Sequence, residues 1–242
     1  AQTSSRLTPI LLDVTDAGSI AAAAGAVRTA VGTVGLTGLV NNAGIGVTGP
    51  LELVPLTDFR YQFEVNVIGS LAVTQAFLPL LRQGRGRIVN MGSIAGRASM
   101  PFMGPYSASK HALAGLTDAL RLELQPQGIQ VSLIEPGAIA TPIWSKTRKV
   151  ADQWNAGWSP EANALYAEGF ARVKDAATKA EARAQPVSLV AHAVEHALCA
   201  PRPKTRYLIG FDAKLRACTA AVLPDRIQDW LLTRILKLPP RA

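Results

Sequence analysis

Cysteine is scarce: Cys199 and Cys218 are the only two in 242 residues, so neither a disulfide framework nor a cysteine-based metal site organises this chain. They read as free thiols of a reducing cytosol. The opening residues, Ala1 to Arg6, lack the basic-then-apolar order of a signal peptide, so export is not indicated. A membrane span is lacking as well. The longest uncharged stretch, Thr29 to Leu51, is broken by six glycines, the Asn41-Asn42 pair and Pro50. Basic blocks are missing although the net charge is +8: Lys and Arg are scattered from Arg28 to Arg241 without interleaved aromatics, which argues against a nucleic-acid partner. His192 and His196 are four apart but have no further ligands near them in sequence, so no metal site is expected. Together these absences predict a soluble, cytoplasmic protein.

What is present is 48% hydrophobic residues, 17% charged residues and 20 glycines, the composition of an ordered globular chain. Short β-branched runs alternate with helical patterns, which predicts an α/β fold: a parallel sheet wound with helices on both faces, in a single domain over 1–242. The expected strands are Leu7 to Val14, Leu36 to Asn41, Arg87 to Met91, Gln130 to Glu135 and Arg206 to Leu208. The expected helices are Ala17 to Val31, Leu56 to Arg82, Gly104 to Gln125 and Val187 to Cys199. Several strands lack polar alternation, as strands buried on both faces do. The segment 142–186 holds Trp144, Trp154 and Trp158, has no strand candidate, and is expected to cover a site. The extension 211–242 includes an amphipathic helix, Pro224 to Lys237. Its Ile227, Trp230, Leu231, Ile235 and Leu236 lie near one side and are expected to dock on the body or on another subunit.

Tyr106 and Lys110 are four residues apart near the start of a predicted helix, so both project from one face. A phenol titrates near 10, and an adjacent ammonium favours its anion, which would suit Tyr106 to exchange a proton with a hydroxyl or carbonyl oxygen. Ser93 follows the strand Arg87 to Met91, at the carboxyl end where open parallel sheets bind ligands. There it could polarise the same oxygen. Each of these residues alone has a plainer reading, as a solvated helix face or a helix cap.

Their order and spacing carry more. Asn41-Asn42-Ala43-Gly44, Asn66, Ser93, Tyr106-Ser107-Ala108-Ser109-Lys110, and Pro136-Gly137 with Thr141 closely resemble the short-chain dehydrogenase/reductase family across nearly the whole chain. The resemblance implies a Rossmann-like fold and an oxidoreductase that moves a hydride between NAD or NADP and an alcohol or carbonyl. It implies that Tyr106 is the acid/base, that Lys110 lowers its pKa and holds the nicotinamide ribose, and that Ser93 orients the substrate. Asn66 would kink its helix and hold a water that links Lys110 to solvent. Asp13 and Val14 would contact adenine; Asn41, Ala43 and Gly44 would line the cofactor; Pro136, Gly137, Ile139 and Thr141 would grip its nicotinamide end. Related proteins often pair through the helices matching Leu56 to Arg82 and Gly104 to Gln125, so a homo-oligomer is expected.

One departure stands out. The family's glycine turn for the cofactor phosphates precedes the strand expected at Leu7 to Val14, and this chain does not contain it. Gly44 to Gly49 matches G-x-G-x-x-G literally, but no helix is expected to open after it and Pro50 follows, so it fails the required context. The first βαβ unit is therefore expected to be absent, about forty residues by the usual size of such a unit, and Leu7 to Val14 would lack a neighbour in the sheet. The choice between NAD and NADP lies in that unit; the basic charge leans to NADP. Aromatic and apolar residues (Phe102, Met103, Ile143) suggest a bulky apolar substrate, and Arg206-Tyr207-Leu208-Ile209-Gly210 resembles the branch acting on hydroxysteroids and retinoids. A general ketone reductase and a catalytically silent binding protein on the same scaffold are the alternatives.

Overall fold

Four runs of apolar residues pair into one sheet because each has a neighbour to satisfy its backbone: β1 (Gly38–Asn41), β2 (Arg87–Met91), β3 (Gln130–Pro136) and β4 (Arg206–Ile209). In the computed structural model, which describes residues 7–238, they lie in the order β1-β2-β3-β4 and every pairing is parallel. The register sets Asn41 opposite Asn90, Val89 opposite Ser132 and Ile134 opposite Tyr207. Ile88, Val89, Leu133 and Ile134 are fully buried, the state predicted by runs without polar alternation. The reading of Ala1 to Arg6 and the last four positions of the extension lie outside the described residues.

Parallel neighbours need crossovers, and helices supply them. α1 (Ala17–Val31) precedes β1 and is capped by Asp16, whose side chain accepts from the Ser19 amide. Between β1 and β2 run α2 (Leu56–Phe63), a π-turn over Glu64–Ile68, and α3 (Gly69–Gly84). This takes the place of the single helix expected from Leu56 to Arg82, and the break falls at Asn66. α4 (Gly104–Leu124) joins β2 to β3; α5 (Ile143–Asn155), α6 (Pro160–Ala182) and α7 (Val187–Cys199) join β3 to β4; α8 (Phe211–Val222) and α9 (Asp225–Leu236) follow. On one face, Ile20, Phe77, Leu81 and Leu120 of α1, α3 and α4 pack against Ile88 and Val131. On the other, Ala193 and Ala197 of α7 pack against Val89, Ile134 and Tyr207. The chain is thus a doubly wound α/β fold. The stretch Leu56–Gly84 is long and apolar enough to cross a membrane by composition, yet its Val73, Phe77, Leu80 and Leu81 are buried in this core.

One expectation needs correction. Leu7 to Val14 is not a strand: residues 7–12 have no regular structure, and Leu7 and Leu11 are 68% and 94% exposed. A lone extended run has no ladder to join, so apolar character alone does not make it a strand. The α9 helix forms as expected and touches α6 and α8, but of the five apolar residues only Leu236 is buried. Ile227, Trp230 and Ile235 remain exposed, and the Arg234 guanidinium lies 5.2 Å from the Trp230 ring centre.

Candidate active site

Where β1, β2 and β3 end, the backbone opens a cavity of about 520 Å³. Its floor is made by residues just past the strand ends, among them Asn42, Gly44, Gly92, Ser93, Pro136 and Gly137. Its cover comes from α5 and α6, which contribute Ile143, Trp144, Phe170 and Val173. Trp154 and Trp158 of the segment 142–186 are not part of the wall; Trp158 packs on Phe170 with ring centres 5.2 Å apart. Phe102 lines the cavity with φ 62°, a left-handed conformation that costs a bulky residue about 1–3 kcal/mol. Edge contacts with the rings of Tyr166 and Phe170, and the Gly49 amide donating to its carbonyl, hold it there.

The first turns of α4 carry Tyr106 and Lys110 into the same cavity as Ser93. Lys110 is buried; its Nζ donates to the Met91 carbonyl at 2.7 Å and lies 5.7 Å from the Tyr106 ring centre. A Cβ placed on Gly44 would sit 3.4 Å from Asn66 Oδ1 and 3.8 Å from Lys110 Nζ, so these three residues converge. Burial lowers the Lys110 ammonium to about 8. Desolvation also pushes the Tyr106 phenol upward, against the opposing pull of a hydrogen bond with Ser93. The Lys110 ammonium itself is directed to the Met91 main-chain carbonyl.

Asn66 sits in the π-turn and staples the loop after β1. Its Oδ1 accepts from the Ile45 amide at 2.9 Å, and its Nδ2 donates to the Ile45 carbonyl at 3.1 Å and to Ser109 Oγ at 3.0 Å. Both amide protons of Asn66 are thus given to the protein. Gln62, one turn earlier and fully buried, completes the staple. It donates to the Ile45 carbonyl at 2.8 Å and accepts from the Val47 amide at 2.6 Å. Sequence reasoning passed over Gln62, though its spacing of four from Asn66 puts the two on one helical face.

The remaining expected cofactor residues divide. Pro136, Gly137, Ile139 and Thr141 line the cavity. A Cβ at Gly137 would fall 2.2 Å from the Asp212 carboxylate, so a side chain there would displace that carboxylate. That carboxylate accepts from the Ala138 amide at 2.8 Å, a role with no signal in the sequence. Asn41 does not face the cavity: its buried amide donates to Thr74 Oγ1 at 2.9 Å and to Asn90 Oδ1 at 2.8 Å, and Asn90 donates in turn to Thr117 Oγ1 at 2.9 Å. Ala43 is exposed and outside the wall. Asp13 and Val14 are also outside it. The Asp13 carboxylate turns back to the Thr15 amide and hydroxyl at 2.8 and 2.7 Å, which hold it below the usual carboxylate range, and Val14 packs against Gly69.

The residues present fit the nicotinamide end of a dinucleotide. Gly44 and Gly92 have no side chain to block close approach, Lys110 brings a donor to their side, and Pro136 to Thr141 form a rim. They do not supply a phosphate cradle: among the described residues Gly44 to Gly49 runs into Pro50 and a turn rather than a helix.

Comparison with known proteins agrees with this geometry. The family model for short chain dehydrogenases matches residues 1–152. Human retinol dehydrogenase 16 is 42% identical over 247 residues, covering 100% of this chain and 77% of its own length. Bovine 17-beta-hydroxysteroid dehydrogenase type 6 is 38% identical over 246 residues, with the same coverage of each chain. A short-chain dehydrogenase from Burkholderia cenocepacia, solved in complex with NADP, superposes with a TM-score of 0.70 at 26% identity, covering 98% of this chain and 81% of that one. With sequence, sheet order and cavity in accord, the chain belongs to the short-chain dehydrogenase/reductase family, alongside its retinol and hydroxysteroid dehydrogenases, and is an oxidoreductase that works with NAD or NADP.

Proposed function

We propose that this protein interconverts a bulky apolar alcohol of the steroid, retinoid or lipid kind with its carbonyl compound, and that Ser93, Tyr106, Lys110 and Asn66 carry the reaction. The observation on which this rests is that Ser93, Tyr106 and Lys110 open into one largely apolar cavity at the carboxyl edge of the sheet. A bound nicotinamide supplies the hydride for reduction, or accepts it in oxidation. The protein supplies the proton and the orientation. In reduction the neutral Tyr106 phenol gives its proton to the substrate oxygen as that oxygen gains charge, while the Ser93 hydroxyl holds the oxygen in place. Lys110 would hold the ribose hydroxyls and stabilise the phenolate left behind. Asn66 acts through Ile45, fixing the loop beside Gly44.

The net charge of +8 favours NADP over NAD. Exposed, unpaired Cys199 and Cys218 suit a reducing compartment such as the cytoplasm. Tyr61, Ile68 and Leu122, exposed on α2, the π-turn and α4, would support pairing of subunits into a homo-oligomer. The test is turnover of a panel of steroid, retinoid and aliphatic ketones and alcohols with NADPH and NADH. The expected result is reduction of apolar ketones. Absence of both turnover and cofactor binding would overturn the reading in favour of a silent scaffold.

A further inference from the structure

Four cationic side chains reach the cavity wall: Lys110, Arg148, Lys174 and Arg216. Three are committed elsewhere. Arg148 is paired with Glu181 and Lys174 with Asp152, while Lys110 is bonded to Met91 beside the reacting centre. Arg216, on the second turn of α8, is different. Its Nη2 donates to the Ala98 carbonyl at 2.7 Å, and among the described residues no carboxylate lies within ion-pair distance of it. The nearest acid in sequence on that helix, Asp212, spends one oxygen on the Ala138 amide. A guanidinium has five N–H donors, so among the described residues most of those on Arg216 have no protein acceptor, in a wall otherwise made largely of apolar side chains. Desolvation acts on it more strongly than the attraction of Asp212. Arg216 is half-buried, so these donors face the cavity and the solvent in it, where the anion of a ligand could take them with charge-assisted hydrogen bonds.

The placement is specific. Ala213 and Ala217 of α8 pack on Ile94, the residue after Ser93, so α8 is docked on the turn that leaves the catalytic strand. Arg216 is thereby carried to the same cavity as Ser93. We propose that Arg216 forms a subsite for an oxyanion on the substrate, so that the preferred substrate is an apolar alcohol or ketone bearing a carboxylate or similar acidic group. This rests on reading the cavity as the substrate site.

The test separates charge from support of the loop. Arg216→Gln can still donate to the Ala98 carbonyl but carries no charge, and Arg216→Lys keeps the charge. Binding of dodecanoate and of 1-dodecanol to the full chain is followed by tryptophan fluorescence, with Trp144 in the cavity wall as reporter. The expected result is a preference for dodecanoate of about tenfold or more, in the range of a charge-assisted hydrogen bond. That preference should vanish in Arg216→Gln and survive in part in Arg216→Lys. No preference in the wild type, or an undiminished preference in Arg216→Gln, overturns the proposal. Turnover is scored separately with a long-chain keto acid and its methyl ester: if neither reacts, the reading of the reaction fails, while the binding experiment still judges Arg216.

Discussion

Replacing Lys110 by Met should make the protein more stable while destroying its activity. The buried ammonium titrates at about 8, against 10.5 for an ordinary lysine. That gap corresponds to about 3 kcal/mol against the charged form. Between these two values the unfolded chain holds the proton and the folded chain does not, so stability rises with pH across the window, and the full penalty applies below it. Methionine removes the charge at similar volume but forfeits the hydrogen bond to the Met91 carbonyl, which contributes about 1 kcal/mol. At about pH 7 the net gain is then about 2 kcal/mol, or roughly 4–8 °C in melting temperature for a chain of this size. Above about pH 11.5 wild-type Lys110 is neutral in the folded state and little charged in the unfolded one, so only the lost hydrogen bond remains and the variant becomes the less stable of the two. Urea unfolding followed by circular dichroism at both pH values measures this, and the other titrating groups cancel in the difference. A variant less stable than wild type at neutral pH, or a difference that does not change with pH, would refute the account of Lys110.

Other residues give sharper single outcomes. Tyr106→Phe should reduce turnover by about 10²–10⁴-fold with cofactor affinity preserved, since only the transferable proton is removed; near-normal rates in a ketone reduction assay would remove Tyr106 from the chemistry. Gln62→Leu leaves the buried Val47 amide without its acceptor and should cost about 1–3 kcal/mol in urea unfolding. The same variant should loosen cofactor binding, because the loop beside Gly44 loses half its staple. Glu135 is fully buried, takes two hydrogen bonds from Arg97 at 2.7 and 2.9 Å and one from Arg206 at 3.0 Å. Glu135→Gln removes the charge that Arg97 and Arg206 share, leaving Arg206 its second partner Asp118, and should cost about 1.5–3 kcal/mol, seen as a lowered melting temperature with little change in KM for whatever protein stays folded.

Much of this was legible before the coordinates, for identifiable reasons. α1 and α7 run as expected because their limits are set locally, by the Asp16 cap and by Pro186 ahead of Val187. β2 matches as well, since its apolar run is flanked by glycines. The strand expected at Leu7 to Val14 failed because a strand is a property of a pair, and among the described residues none pairs with it. Asn41 and Asn90 show a second limit: motif order located Asn41 correctly at the end of β1, but the pleat decides which side its amide faces, and it faces the interior. The direction of the Tyr106 titration was hidden for a third reason, because sequence spacing gives adjacency to Lys110 but not the desolvation of both groups. Arg216 and Asp212 carried no local signal at all; only the docking of α8 brings them to the cavity.

The chain of amides and hydroxyls from Thr74 through Asn41 and Asn90 to Thr117 crosses two helices and two strands. Because each member satisfies the next, shifting any one of the four elements by a residue would strand several polar groups in a dry interior at once. The layers beneath the cavity are thus pinned as a single rigid plate, so movement that admits or releases a substrate has to come from the helices above it.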